Sequence, residues 1–272
     1  MTAVLLVISL ILSGSLWQQL NITKIQLNDT TDQLNAVKPG MDSLKAEQEQ
    51  TLSRYADMRR QINLRLGIRQ DGQRFITPDD PEISALVQEI TGGYSEEGLW
   101  KNYGRLHQWI IRNIEYSLDS PIPILPEPIS GTLEWGDDFW RMPVETIRDR
   151  TGDCEDISLL LSSMLLNYNQ GRFPIWIVGV RSHGSNPSAH IAVTIPSVNN
   201  QLTILDIAGH YYSPYAEMSG FLSEDAPLAI ENWLIHLEEK VPDAHIYVIF
   251  SENFYQEFSS NEEFINWMIR LY

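Results

Sequence analysis

A single cysteine and six histidines, set among 36 acidic side chains, bound the nucleophile chemistry open to this 272-residue chain. Cys154 follows Asp153 and opens the run CEDISLLLSSMLLNY, 154 to 168, which is apolar on nearly all sides. Asp is a favoured helix N-cap, so Cys154 falls in the first turn of a central buried helix. There the free backbone N–H groups and the helix dipole favour an anion and make the thiol a competent nucleophile. Asp153 and Glu155 oppose that effect unless they point away or bind a cation. The competing reading is a small buried hydrophobe, the usual lot of a lone cysteine.

A thiol in this role needs a base. His107 and His236 lie in helical patterns, His183 in a Gly/Ser loop, His210 just after a strand, and His245 at the start of the last strand. His190 differs because its strand, 189 to 195, leads through Asn199-Asn200 into a second strand at 202 to 207. If residue 195 pairs with 201, His190 faces Asp206 with Cβ atoms ~5 Å apart. A carboxylate so placed fixes the imidazole tautomer and stabilises its cation. A slip of one residue would put the two on opposite faces, and a purely structural polar pair is the alternative. For an oxyanion hole, the Cys154 backbone N–H is one donor and the indole N–H of Trp140 or Trp135 a second. Core packing competes for either indole.

These residues need a scaffold. Helices are predicted at 82 to 91, 97 to 115, 226 to 240 and 261 to 271, and strands at 174 to 180, 189 to 195, 202 to 207 and 244 to 250. A Pro-rich stretch at 121 to 131 is too punctuated for helix or central strand and reads as a surface loop. Helices first and strands after, with hairpin spacing, predict an α+β fold with an antiparallel sheet.

Upstream, residues 3 to 20 carry no charge, and the apolar part is long enough to span ~30 Å of hydrocarbon as a helix. The expectation is an N-terminal transmembrane anchor at 1–20, with an uncleaved signal as the competing reading. Sequons at Asn21 and Asn28 lean towards an exterior or periplasmic C-terminal side. From Leu20 a heptad runs through Leu27, Leu34 and Met41, with Val37 and Leu44 among the d positions, and Pro39-Gly40 interrupts it. That pattern predicts a broken helical stalk at 21–77 that would self-associate, or an amphipathic helix lying on the domain. The catalytic domain is expected at 78–272.

A net charge of −17 with only 19 Lys and Arg argues against nucleic acid as a partner. Zinc-ligand spacing, a Gly-rich phosphate loop and a G-x-S-x-G element are all missing from the sequence.

Trp140-Arg141-Met142-Pro143-Val144-Glu145-Thr146, then Thr151-Gly152-Asp153-Cys154-Glu155-Asp156, resembles the core of the transglutaminase-like superfamily, particularly its microbial members. Ala189-His190-Ile191-Ala192-Val193 and Ile204-Leu205-Asp206 resemble its His-bearing and Asp-bearing strands, and the resemblance spans about 82 to 250. It implies a papain-like core with Cys154 as nucleophile, His190 as base and acid, and Asp206 as orienting carboxylate. The implied activity is attack on a protein or peptide amide through a thioester, with hydrolysis the leading outcome. Protein crosslinking, cell-wall peptide cleavage and a non-catalytic scaffold are the alternatives. Ile191 and Ala192 depart from the family's aromatic after the His, and Ile207-Ala208-Gly209 from its Pro after the Asp. No cofactor is required by this reading. Calcium on Asp153 and Glu155 is implied by the bacterial periplasmic proteinases of the superfamily, against a capped helix with a solvated acidic first turn.

Overall fold

The computed structural model describes residues 2–66, 70–127, 131–183, 187–213, 215–216, 220–221 and 223–271, with 2–11, 70–71, 215–216 and 220–221 described in backbone alone. The chain divides into two compact units, Met1–Gln61 with Pro126–Thr132 and Ile62–Leu125 with Leu133–Tyr272.

In the first unit, helix α1 (Thr2–Leu64) begins near the N-terminus and runs 63 residues, passing through Pro39. The predicted break at Pro39-Gly40 does not occur. A proline inside a helix removes one hydrogen bond and crowds the preceding turn, at about 3 kcal/mol. Long intact turns on both sides keep the axis helical around that local loss. Leu20, Leu27, Leu34, Met41, Val37 and Leu44 all stand exposed on α1. Near its end Tyr55 Oη donates to the Pro126 carbonyl at 2.6 Å, and Arg59 pairs with Glu127 at 2.7 Å. Among the described residues no helix is long and apolar enough to cross a membrane. The side chains of residues 1–11, which carry most of the apolar run expected to form the anchor, lie outside the described residues.

The second unit holds the sheet. After a 3₁₀ turn at Gln70–Phe75 come α2 (Pro81–Thr91) and α3 (Leu99–Asn113), then short strands β1 (Glu115–Tyr116), β2 (Ile122–Ile124) and β3 (Glu134–Gly136). Helix α4 (Pro143–Asp149), strand β4 (Thr151–Gly152) and helix α5 (Cys154–Asn169) follow. Next are β5 (Trp176–Arg181), β6 (Ala189–Ser197), β7 (Gln201–Asp206), β8 (Tyr211–Tyr212), β9 (Tyr215–Ala216), β10 (Gly220–Phe221) and β11 (Glu224–Asp225). Helix α6 (Ala226–Leu237), β12 (His245–Ser251), β13 (Phe254–Glu257) and α7 (Asn261–Leu271) complete the unit. The Pro-rich stretch is less loop-like than predicted: Ile122–Ile124 pairs antiparallel with Glu134–Gly136 in a two-stranded ladder, which tolerates Pro123 at an edge.

The main sheet runs β11-β7-β6-β5-β12-β13, antiparallel throughout, with β8 also on β7. Alternation along the strands sorts two cores. Ile177, Ile191, Val193, Leu205 and Val248 pack with α2, α3 and α5, whereas Val178, Ala192, Ile204 and Ile249 pack with α6 and α7. Helix α5 is buried on almost every side, as its composition demands. The architecture is mixed α and β with an antiparallel sheet, and α5 lies in one layer of its covering.

Candidate active site

The site is assembled from three places. Cys154 is the first residue of α5, and Asp153 is its N-cap by backbone position, but the Asp153 side chain makes no capping bond. Its carboxylate turns instead towards Asp119 and Glu155, and one ligand oxygen from each of the three lies within 4.8 Å of the others. The approach is set by β1 and β4, which pair in parallel with Glu115 beside Thr151 and Tyr116 beside Gly152, while Ser117 N–H donates to the Gly152 carbonyl. Asp119 therefore leaves β1 alongside the start of α5. Gly152 is required in this crossing, because a Cβ there would sit 2.7 Å from Asp156 Cβ.

Asp119 was not among the residues the sequence singled out. Its Oδ1 accepts from Arg141 at 2.8 Å, and the other guanidinium nitrogen of Arg141 holds the fully buried Asp156. Arg141 N–H also donates to Asp156 at 2.8 Å, so one arginine ties the β1 loop to α5. The Trp140 indole, expected as one choice of second oxyanion donor, is committed elsewhere. Its N–H donates to Asp138 Oδ1 at 3.1 Å, and its ring is buried against Phe250 and Phe75. An oxyanion donor must point its N–H at the reacting carbonyl, so Trp140 is dropped from that role. Trp135 stands exposed on β3.

The second place is the β6–β7 hairpin, whose register differs from the expected one. Ser197 pairs with Gln201 and Val193 with Leu205, so the turn is three residues, Val198 to Asn200. Asn199 and Asn200 both adopt positive φ, a conformation that Asn tolerates. Extended, this register sets Ala192 rather than His190 opposite Asp206. A shift of two residues preserves the face, so His190 and Asp206 are diagonal neighbours instead of direct ones. Both side chains reach across that diagonal. His190 Nε2 lies 2.8 Å from each Asp206 carboxylate oxygen. An ionised carboxylate only accepts, so Nε2 carries the donated proton and Nδ1 is the nitrogen left for chemistry.

Asp206 is held by more than the imidazole. Trp233 Nε1 from α6 donates to it at 2.9 Å and Gly209 N–H at 2.6 Å. Burial by itself would raise its pKa, but the bonds from His190, Trp233 and Gly209 outweigh it and hold the carboxyl below its usual value. A Cβ on residue 209 would overlap this carboxylate, which accounts for the glycine three residues after the Asp. Trp233 and Gly209 were both missed by sequence reasoning, since nothing in an indole on an amphipathic helix announces a partner on a distant strand.

Cys154 joins this pair from the opposite layer. The β6–β7 ladder ends at Val193 and Leu205, so His190 and Asp206 flank the gap where the two strands part, His190 still paired with Val180 and Asp206 with Tyr211. Cys154, half-buried, packs against the core cluster that contains Ile191, the residue after His190. Among the described residues the side-chain bond of Cys154 Sγ runs to Glu155 Oε2, at 3.4 Å, and not to the imidazole. Burial, then Glu155 and Asp153, push the thiol pKa well above its ordinary value. The expectation that the helix start would depress it is reversed, because close carboxylates in a buried site outweigh a dipole of about half a charge. Glu155 itself is pushed up to about 11 by burial and by its neighbours Asp153, Asp138 and Asp156.

A transglutaminase-like domain profile matches residues 83–235, more than half of the chain. Among solved structures, LapG of Legionella pneumophila is 19% identical over 72% of this chain and 98% of its own, with a TM-score of 0.33. The calcium-bound form of Legionella pneumophila LapG is 20% identical over 72% of this chain and 100% of its own, also at 0.33. No curated protein matches. The chain belongs to the transglutaminase-like domain family.

Proposed function

We propose that this protein is a cysteine enzyme that opens protein or peptide amides through Cys154, His190 and Asp206, with water resolving the thioester. The observation that carries this reading is the His190–Asp206 pair, whose Nε2 contact leaves Nδ1 to serve the thiol at the start of α5. In the first step Cys154 Sγ bonds to the substrate carbonyl carbon and its proton passes to His190 Nδ1. Asp206 stabilises the imidazolium and keeps the ring oriented. The Cys154 backbone N–H, at a helix start, faces the developing oxyanion. Collapse breaks the C–N bond, and the amine leaves with the proton from His190. Water then attacks the thioester with His190 as base, releasing the acid and restoring the thiol.

Asp119, Asp153 and Glu155 fit a divalent cation of the calcium class. Two of their oxygens, Asp153 Oδ1 and Glu155 Oε1, are buried with no hydrogen-bond partner. Hard carboxylate oxygens that close together suit such an ion, and its charge would favour the thiolate when bound. Glu155, drawn towards Asp119 and Asp153, would then no longer accept from the Cys154 thiol. We also propose that α1 pairs with a second copy along its exposed heptad face, and that residues 1–20 anchor the chain with the enzyme outside the membrane. The apolar composition of 3 to 17 motivates the anchor.

The test is labelling of Cys154 by a chloroacetamide probe, followed by mass spectrometry, beside cleavage of a peptide library. His190→Ala is expected to slow both by about 10²–10⁴-fold, the usual weight of a positioned general base. Labelling that ignores His190→Ala would leave the chain a scaffold of the same fold.

A further inference from the structure

Next to the triad carboxylate lies a second feature that the chemistry above leaves unused. A cavity of about 340 Å³ opens between α3, the start of α5 and the turn from β7 into β8, with Asp206 in its wall. Its apolar lining includes Ile111 from α3 and Ile114 just after it, Tyr116 from β1, Ile157 from α5, and Ile207 and Tyr212 from the β7–β8 region. Ile157 is the third residue after Cys154, so it lies on the same helix face one turn inward. Ile111, Tyr116 and Tyr212 are 47%, 48% and 37% exposed, although Tyr103, Leu106 and Ile110 on α3 are fully covered. Three large side chains left open around one hole beside a reactive site form a binding surface, not a packing defect.

Tyr116 ties this cavity to the nucleophile. The strand that carries it pairs beside Gly152, two residues before Cys154. The charges of Cys154, Asp153, Glu155 and Asp206 all reach its hydroxyl and, after burial, help push it up to about 12. The phenol therefore lines the cavity as a neutral wall on the strand that pairs beside Gly152. The volume lies at the small end of ligand sites, which typically run ~300–1,000 Å³, so it suits one bulky side chain and not a cofactor.

We infer that this cavity is the specificity pocket of the enzyme, and that it takes a bulky aliphatic or aromatic side chain of the peptide substrate. The inference rests on the peptidase reading for the word substrate. The pocket itself stands on its lining and its place beside Asp206. A charged side chain would lose its hydration in the inner part of the cavity without a partner, since Asp206 is already engaged by His190, Trp233 and Gly209 and burial pushes the His107 imidazole in the wall down to about 4, leaving it neutral, with His210 at the exposed rim.

Two measurements on the full chain test this. In the first, isoleucine methyl NMR follows titration with N-acetyl-phenylalanine amide, N-acetyl-leucine amide and N-acetyl-aspartate amide. Saturable shifts at Ile157 and Ile207 are expected with the first two and not the third. Ile111→Glu, at a half-exposed position and with the fold checked by circular dichroism, is expected to abolish them. Absence of saturation with either apolar amide overturns the inference, as do equal shifts from the aspartate compound or shifts that survive Ile111→Glu. In the second, chloromethyl ketones of the same three amino acids label Cys154. A preference of at least ~10-fold for the apolar pair, lost in Ile111→Glu, is expected from the discrimination that apolar pockets achieve. Rapid labelling without preference sinks the pocket and leaves the thiol chemistry standing. A thiol inert to all three sinks the peptidase reading, and the NMR arm still decides the pocket.

Discussion

Asp206 and Glu155 are two buried carboxyls within one site, and their environments drive them in opposite directions. Asp206 receives three donors and is held below the ordinary carboxyl range; Glu155 receives none of comparable strength and is pushed up to about 11 by burial and acidic neighbours. The consequences for stability differ in sign. With a folded pKa below the unfolded value of ~3.9, Asp206 contributes stability that is present above about pH 4 and lost as pH falls through its folded pKa. With a folded pKa far above the unfolded ~4.3, Glu155 binds its proton more tightly when folded, so its contribution declines steadily as pH rises. Glu155→Gln is therefore expected to stabilise the metal-free protein, with an advantage in denaturant unfolding that is wider at pH 8 than at pH 5. An advantage that narrows with pH would contradict the environment assigned to Glu155. Asp206→Asn is expected to remove part of the acid-induced loss of stability between pH 5 and pH 3, read from the same unfolding curves.

Among the elements, the β6–β7 hairpin and the turn after it decide whether an imidazole meets a carboxylate. The three-residue turn sets the register at Val193 with Leu205, and the Ile207-Ala208-Gly209 turn folds a backbone N–H back onto Asp206. Gly209→Ala places a methyl group where the carboxylate sits, so it is expected to displace Asp206, lower Cys154 labelling by at least ~10²-fold, and cost about 1–3 kcal/mol in overpacking. Circular dichroism with labelling kinetics separates that outcome from global unfolding. Helix α1 presents a different question. Its heptad face is unbroken at Pro39, and Leu27 and Leu34 stand 64% and 66% exposed on it. A paired α1 would cover them, so light scattering is expected to give a multiple of the chain mass that falls to one chain in Leu27→Lys with Leu34→Lys. A single-chain mass for the unaltered protein would remove the pairing.

At the scale of the whole second unit, Arg141 and the acidic cluster join segments far apart in the chain. Asp119 comes from the loop after β1, Asp153 and Glu155 from the start of α5, and Arg141 links Asp119 to Asp156. A cation held by that cluster would close the loop onto the nucleophile helix and stabilise the fold by mass action, about 2.7 kcal/mol at a hundredfold excess over Kd. Calcium is expected to raise the melting temperature, and the rise to vanish in Asp119→Asn and on addition of EGTA. An identical rise in Asp119→Asn would remove that residue from the ligand set. This readout is independent of peptide cleavage.

The sequence by itself determined the local chemistry. Asp153-Cys154 before an apolar run marks a helix start with a thiol in its first turn, and residues 189 to 195 and 202 to 207 alternate as strands, because capping and periodicity act over a few residues. It also placed His190 and Asp206 on one face, since an even error in register leaves the face unchanged. The exact register was not legible, because it depended on a turn in which two asparagines adopt positive φ. Tertiary structure alone decided what surrounds the thiol. Asp119 reaches Asp153 through a two-residue parallel pairing, Trp233 reaches Asp206 from another layer, and Trp140 turns its N–H to Asp138. The raised pKa of Cys154 follows first from the burial that the fold imposes, then from Glu155 and Asp153 on either side of it in the chain. A helix dipole is a property of the sequence's own element, but the burial that the fold imposes on the thiol and its neighbours Glu155 and Asp153 reverses its effect.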